Sequence, residues 1–154
     1  MSRELQAKSL TKEEVDRAFA LIRSAGGEFT LTRWRRYAGE LIRRAPESCG
    51  LLAVENCRGT IQGLCSYRMV STPEGDRHCV VELIVALDLI DEGEVAAALL
   101  HAIERLARRH GAQALSVSVP YRNCLAGSLL ARLDSAGMRI DRLRLLKPLP
   151  PQGL

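Results

Sequence analysis

Residues 78–119 read HCVVELIVALDLIDEGEVAAALLHAIERLARRHGAQALSVSV, and the fold turns on this stretch. His78 to Leu87 is a nearly continuous apolar run, rich in valine and interrupted only by Glu82, the pattern of a central strand covered on both faces. Asp91 to Gly111 then repeats apolar residues at helical spacing, with Val95, Ala98, Leu99, Ala102, Ile103 and Leu106 on one side. Arg105, Arg108, Arg109 and His110 gather towards its end, where the helix dipole favours cations. Gly111 closes the helix, and Ala114 to Val119 alternates as a further strand.

Working towards the N-terminus, Thr72 to Asp76 (TPEGD) is a turn. Before it, Cys49 to Glu55 and Thr60 to Val70 are strand-like and separated by Asn56-Cys57-Arg58-Gly59, a connection that predicts an antiparallel hairpin. A helix is expected from about Thr32 to Arg44, closed by Pro46, and another from Thr11, where Thr11 and Glu14 have the spacing of a capping box. Gly26-Gly27 ends that first helix, and Leu5 to Leu10 is a short strand ahead of it. Towards the C-terminus, Leu125 to Ala136 reads as a short helix stopped by Gly137, and Arg139 to Leu149 as a last strand. The order is β-α-α-β-β-β-α-β-α-β, an α/β chain with a central mixed sheet flanked by helices.

Composition narrows the class. At 154 residues and 47% hydrophobic content the chain suits one domain over 1–154, with a core at about 5–149 and a tail at 150–154. With 26% charged residues and no apolar run near the roughly 20 needed to span a bilayer, it is expected to be soluble and not membrane-bound. The polar start MSRELQAKSLTKEE has no export signal, which suggests a cytoplasmic protein. Five scattered cysteines, none in a C-x-x-C pair, read as free thiols in a reducing compartment. The equal spacing of Cys49, Cys57 and Cys65 is read as small buried positions and not as a metal site. Net charge is +4, but the arginines alternate with glutamates and the aromatics are not interleaved with them, which argues against nucleic acid. The densest cluster, Arg33, Arg35, Arg36, Arg43 and Arg44, is read as the solvated face of a helix.

The strand, loop and helix of residues 81–119, together with SLLARLDSAGM at residues 128–138, resemble the GNAT superfamily of acyl-CoA-dependent N-acyltransferases. The resemblance covers roughly Leu5 to Leu149 and implies a GNAT-like fold with acetyl-CoA or another acyl-CoA as cofactor. It implies that backbone groups of Ile84, Val85 and Ala86 hold the pantetheine arm. The family's pyrophosphate loop corresponds to Asp91, Glu92, Gly93, Glu94, Val95 and Ala96, and it is degenerate. Only Ala96 fits the family pattern, since Asp91 stands for a basic or amide residue and Glu94 for a glycine. The same residues read more simply as a helix start in which Asp91 caps and Glu94 completes the cap, because carboxylates there complement the dipole.

Glu82 lies where the family places a general base, and burial in an apolar strand would raise its pKa into a useful range. It reads alternatively as facing an open cleft or paired with an arginine of the second helix. The family's acidic tyrosine corresponds to Leu133; Tyr121 is the candidate spatial substitute, read alternatively as a packing residue after Pro120 with its hydroxyl in water, and Asn123 is near a family asparagine position. Cys124 lacks a histidine to activate it. Two functions follow: transfer of an acyl group to an unidentified small-molecule or protein amine, or a non-catalytic GNAT-like interaction or regulatory domain that no longer binds CoA. A last strand rich in apolar residues would suit a homodimer.

Overall fold

The structure, a computed structural model, describes residues 4–24, 29–87, 93–119, 133–142 and 144–151. The expected hairpin forms: β2 (Cys49–Glu55) runs antiparallel to β3 (Ile61–Ser71), with Leu52 opposite Cys65. Asn56 Oδ1 accepts from the backbone of Arg58 and Thr60, each at 3.0 Å, and Gly59 takes φ 76, where a side chain would be strained. β1 (Gln6–Ser9) pairs with the other edge of β2, and β4 (Arg77–Val81) pairs with β3. β5 (Ile84–Ala86) also pairs with β3, and β6 (Ala114–Val117) lies parallel to β4. The result is a six-stranded mixed sheet.

Strand alternation divides the core between the two faces. Leu51, Ala53 and Leu64 pack under α1 (Val15–Ser24) and α2 (Leu31–Arg43), and Leu52, Val54 and Cys65 pack under α3 (Glu94–Arg109). Thr11 N and Oγ1 both donate to Glu14 Oε1, which starts a 3-10 turn leading into α1. Burial works against ionisation of Glu14, but hydrogen bonds from Lys8 and Thr11 outweigh it and hold its carboxyl down to about 2. α2 is anchored through fully buried Trp34, whose Nε1 donates to Val15 O at 2.7 Å.

Three expectations change. Residues 78–87 form two strands and not one. No strand forms in the described part of Arg139 to Leu149, where Ile140, Leu145, Leu146 and Leu149 are 81–86% exposed. Alternating composition makes a strand only where a neighbour takes its backbone bonds, and none of these residues joins the described ladder. Cys49 and Cys65 are buried as expected, but Cys57 sits exposed in the hairpin turn. Burial pushes the Cys79 thiol up to about 11, so this cysteine behaves as a small apolar residue.

The predicted stop at Gly137 is present, with φ 84 and Met138 N donating to Leu133 O at 3.1 Å, while residues 125–132 of that helix lie outside the described residues. Among the described residues no helix is long and apolar enough to cross a membrane.

Candidate functional site

The division of the apolar run into β4 and β5 creates the site. From Arg68 to Cys65 the β3 side advances three residues, while the facing side advances four, from Val80 to Ile84. The extra residue is a β-bulge, and it shifts the phase of the strand. Cys79 and Val81 point to the α3 face, and so does Ile84, whereas Leu83, Val85 and Leu87 point to the α1/α2 face. Glu82 falls at the phase change and is turned outwards. Its side chain is 42% exposed, and Oε2 accepts from Arg68 Nη2 at 2.8 Å. The expected burial of Glu82 is therefore absent. Its partner arginine comes from β3, not from α2.

The bulge also redirects the backbone. Ser66 N donates to Leu83 O at 2.9 Å and Leu87 N to Gln62 O at 2.8 Å. In an antiparallel ladder every second residue bonds to the neighbour, so Leu83, Val85 and Leu87 face β3. The N–H and C=O groups of Ile84 and Ala86 then point to the opposite edge. β6 follows the strand only as far as Val81, whose carbonyl accepts from Ser118 N at 2.8 Å. Beyond that bond, no described strand pairs with the outer edge of β5. Of the three residues expected to offer backbone groups, Ile84 and Ala86 turn theirs to the side where no described strand pairs, and Val85 uses its own on β3.

The start of α3 packs closely over β3 beside β5, because β3 carries a glycine beneath it. A Cβ on Gly63, which is opposite Ala86, would come within 2.8 Å of Val95 Cγ1. The helix starts at Glu94, later than expected, and Gly93 is its N-cap, at φ 88 and ψ 16 with no side-chain cap hydrogen bond. Glu94 is the first helical residue and partly exposed, so it does not complete a cap; Val95 and Ala96 are buried. Asp91, Glu92, Tyr121, Asn123 and Cys124 lie outside the described residues. Leu133, at the family tyrosine position, is 6% exposed and packs in the α3 cluster.

Sequence reasoning passed over Arg68, Ser66 and Tyr37. Ser66 lies on the same face as Leu64 in β3 and is 3% exposed. It accepts from Leu83 N at 3.1 Å and from the Tyr37 hydroxyl at 2.9 Å. The alternating phase of Ser66 also holds Gln62 and Arg68, so its burial leaves no mark in the sequence pattern.

No family model and no curated protein matches the sequence. Solved structures match over nearly the whole chain. An aminoglycoside N-acetyltransferase in complex with CoA has a TM-score of 0.77 at 12% identity, covering 96% of this chain and 97% of that one. A GNAT family acetyltransferase of Staphylococcus aureus gives 0.73 at 14% identity, covering 94% and 98%. A transcriptional regulator from Bacillus halodurans gives 0.75 at 13% identity, covering 95% and 100%. The order of the mixed sheet, the helices on its two faces and these superpositions establish that the chain has the fold of the GNAT acetyltransferases.

Proposed function

We propose that the chain is an acyl-CoA-dependent N-acyltransferase that moves an acetyl or other acyl group to an amine still to be identified. The carrying observation is the open edge of β5 beside the start of α3. An extended pantetheine arm can add to a free strand edge through its amides, and Ile84 and Ala86 offer one donor and one acceptor each. Gly93, Glu94, Val95 and Ala96 would meet the pyrophosphate at the helix N-terminus. The backbone suits such a group at Gly93, whose φ of 88 puts a residue without a side chain at the N-cap, where phosphates could come close. Glu94 is the departure: a carboxylate in the first turn already complements the helix dipole, an interaction of about 0.3–1 kcal/mol. That is enough to weaken donor binding and too little to abolish it.

Acyl-CoA supplies a thioester-activated acyl group. Glu82 Oε2 is held by Arg68, which leaves Oε1 to take the proton that the amine sheds as it becomes an amide. Protonation of the departing CoA thiolate falls to Tyr121, and Asn123 and Asp91 with Glu92 complete the donor side in this reading. It places the protein in the cytoplasm, where acyl-CoA is found and buried thiols stay reduced.

A second reading, a GNAT-shaped regulatory or interaction module without CoA, is favoured by Glu94 and by the likeness to the Bacillus halodurans regulator. Thermal melting separates the two. Acetyl-CoA at about 100 times its dissociation constant should stabilise the fold by roughly 2.7 kcal/mol. That corresponds to a rise of about 5–10 °C at this chain length. No rise at millimolar acetyl-CoA would reject the enzyme reading in favour of the module.

A further inference from the structure

The bulge that opens β5 needs something to hold it. In a regular ladder the Leu83 N–H would donate to a β3 carbonyl, and the inserted residue takes it out of that alignment. A buried amide left unpaired costs about 1–3 kcal/mol, so the strand would tend to lose the bulge or fray. Ser66 meets this need with its side chain. Its Oγ accepts from Leu83 N at 3.1 Å, while its own N donates to Leu83 O at 2.9 Å, so one residue grips both polar groups of Leu83.

Tyr37 fixes the Ser66 hydroxyl from above. Its OH donates to Ser66 Oγ at 2.9 Å, and burial pushes its phenol above the ordinary value, so it remains a donor at neutral pH. The Tyr37 ring packs against both Phe29 and Trp34, with centroids at 5.8 Å and 6.2 Å, and Trp34 is tied to Val15 O. The two helices that cover the face opposite α3 thus connect, through two hydroxyls, to the residue where the strand changes phase.

We propose that Ser66 and Tyr37 are positioning residues that lock the bulge at Glu82 and Leu83, and so keep the Ile84 and Ala86 edge open for the acyl donor. Neither residue touches the donor. The donor-facing half of this inference rests on the proposed function; the locking half does not.

The two halves are tested separately on the full-length chain. For the lock, amide hydrogen exchange is followed by NMR in the wild type, Ser66→Ala and Tyr37→Phe. Ser66→Ala should speed exchange at Leu83 on the order of tenfold, and Tyr37→Phe about threefold, while Ala53 in β2 and Leu99 in α3 keep their protection. Unchanged exchange at Leu83, or an equal loss of protection at all three amides, would overturn the lock. Should Ser66→Ala fail to fold, Tyr37→Phe, which removes one hydroxyl and keeps the ring packing, decides the same question at Leu83.

For the donor-facing half, calorimetric titration with acetyl-CoA should give an affinity on the order of tenfold weaker in Ser66→Ala and about threefold weaker in Tyr37→Phe, relative to the wild type. Affinities equal to the wild type, with Leu83 exchange accelerated, would overturn this half alone. A wild type that fails to bind acetyl-CoA at millimolar concentration would overturn the proposed function and this half together, leaving the exchange result to judge the lock.

Discussion

β4 and β5 come from one apolar run, yet their outer edges end differently. β4 pairs along its length with β6, from His78 opposite Ala114 to Val81 opposite Val117. β5 has the same kind of residues and the same neighbour on its inner side, β3, but no described strand on its outer side. Hydrophobicity cannot be the cause, because Val81 and Ile84 pack in the same cluster. The cause is the single inserted residue, which turns the strand away from β6 and leaves the Ile84 and Ala86 peptide groups without a described strand beside them. One half of the strand is paired on both edges, and the other has no described strand on its outer edge, which is where the proposed function puts the acyl donor.

The sharpest way to break this contrast is at the hinge. Glu82→Gln should lower turnover on the order of a hundredfold or more, the scale of a lost general base. Stability should change by less than about 1 kcal/mol, because its ion pair with Arg68 is half-exposed. Steady-state kinetics beside a thermal melt checks both, and unchanged turnover would remove Glu82 from the mechanism. Next comes Gly63→Ala. Its Cβ would press on Val95 and should cost about 1–3 kcal/mol by urea unfolding, as overpacked cores do. It should also weaken acetyl-CoA binding by lifting the start of α3 from β5.

A smaller gain is expected from Glu94→Gln. Removing the carboxylate from the first turn should tighten acetyl-CoA by up to about fivefold, corresponding to the ~0.3–1 kcal/mol scale of a dipole interaction. Calorimetry reads it directly, and an unchanged affinity would mean that charge is not what distinguishes this loop. Glu14→Gln should leave the cleft untouched and serves as a control. The folded-state pKa of Glu14 is depressed from 4.5 to about 2, so its contribution to stability is present above pH 4.5 and is lost as pH falls towards 2. The variant should therefore be less stable than wild type near neutrality and converge with it in acid, with equal acetyl-CoA affinity throughout.

The hairpin, α2 and α3 could be read from the sequence because each has one strong period and a clear terminator. The bulge could not. Both faces of residues 78–87 are covered, so apolar residues stand on either side of Glu82 and a slip of one residue leaves no mark in the pattern. Glu82 is the visible sign, but an acid in an apolar run fits a buried base as well as an outward ion pair, and only the bulge decides for the second. The start of α3 was expected at Asp91 because acidic residues resemble caps, but Gly93 takes the N-cap instead. Arg139 to Leu149 shows the reverse error, strand-like composition without a strand. Ser66 and Tyr37 were missed because their importance lies in a contact between residues 29 positions apart, which no local pattern encodes.

The central claim is that the open half of the strand receives the acyl donor, and an NMR titration with acetyl-CoA tests it most directly. The account predicts that the amides of Ile84, Ala86 and Gly93 to Ala96 shift with donor concentration while those of Arg77 to Val80 stay in place. Saturating shifts confined to other elements, or none at millimolar acetyl-CoA, would contradict it.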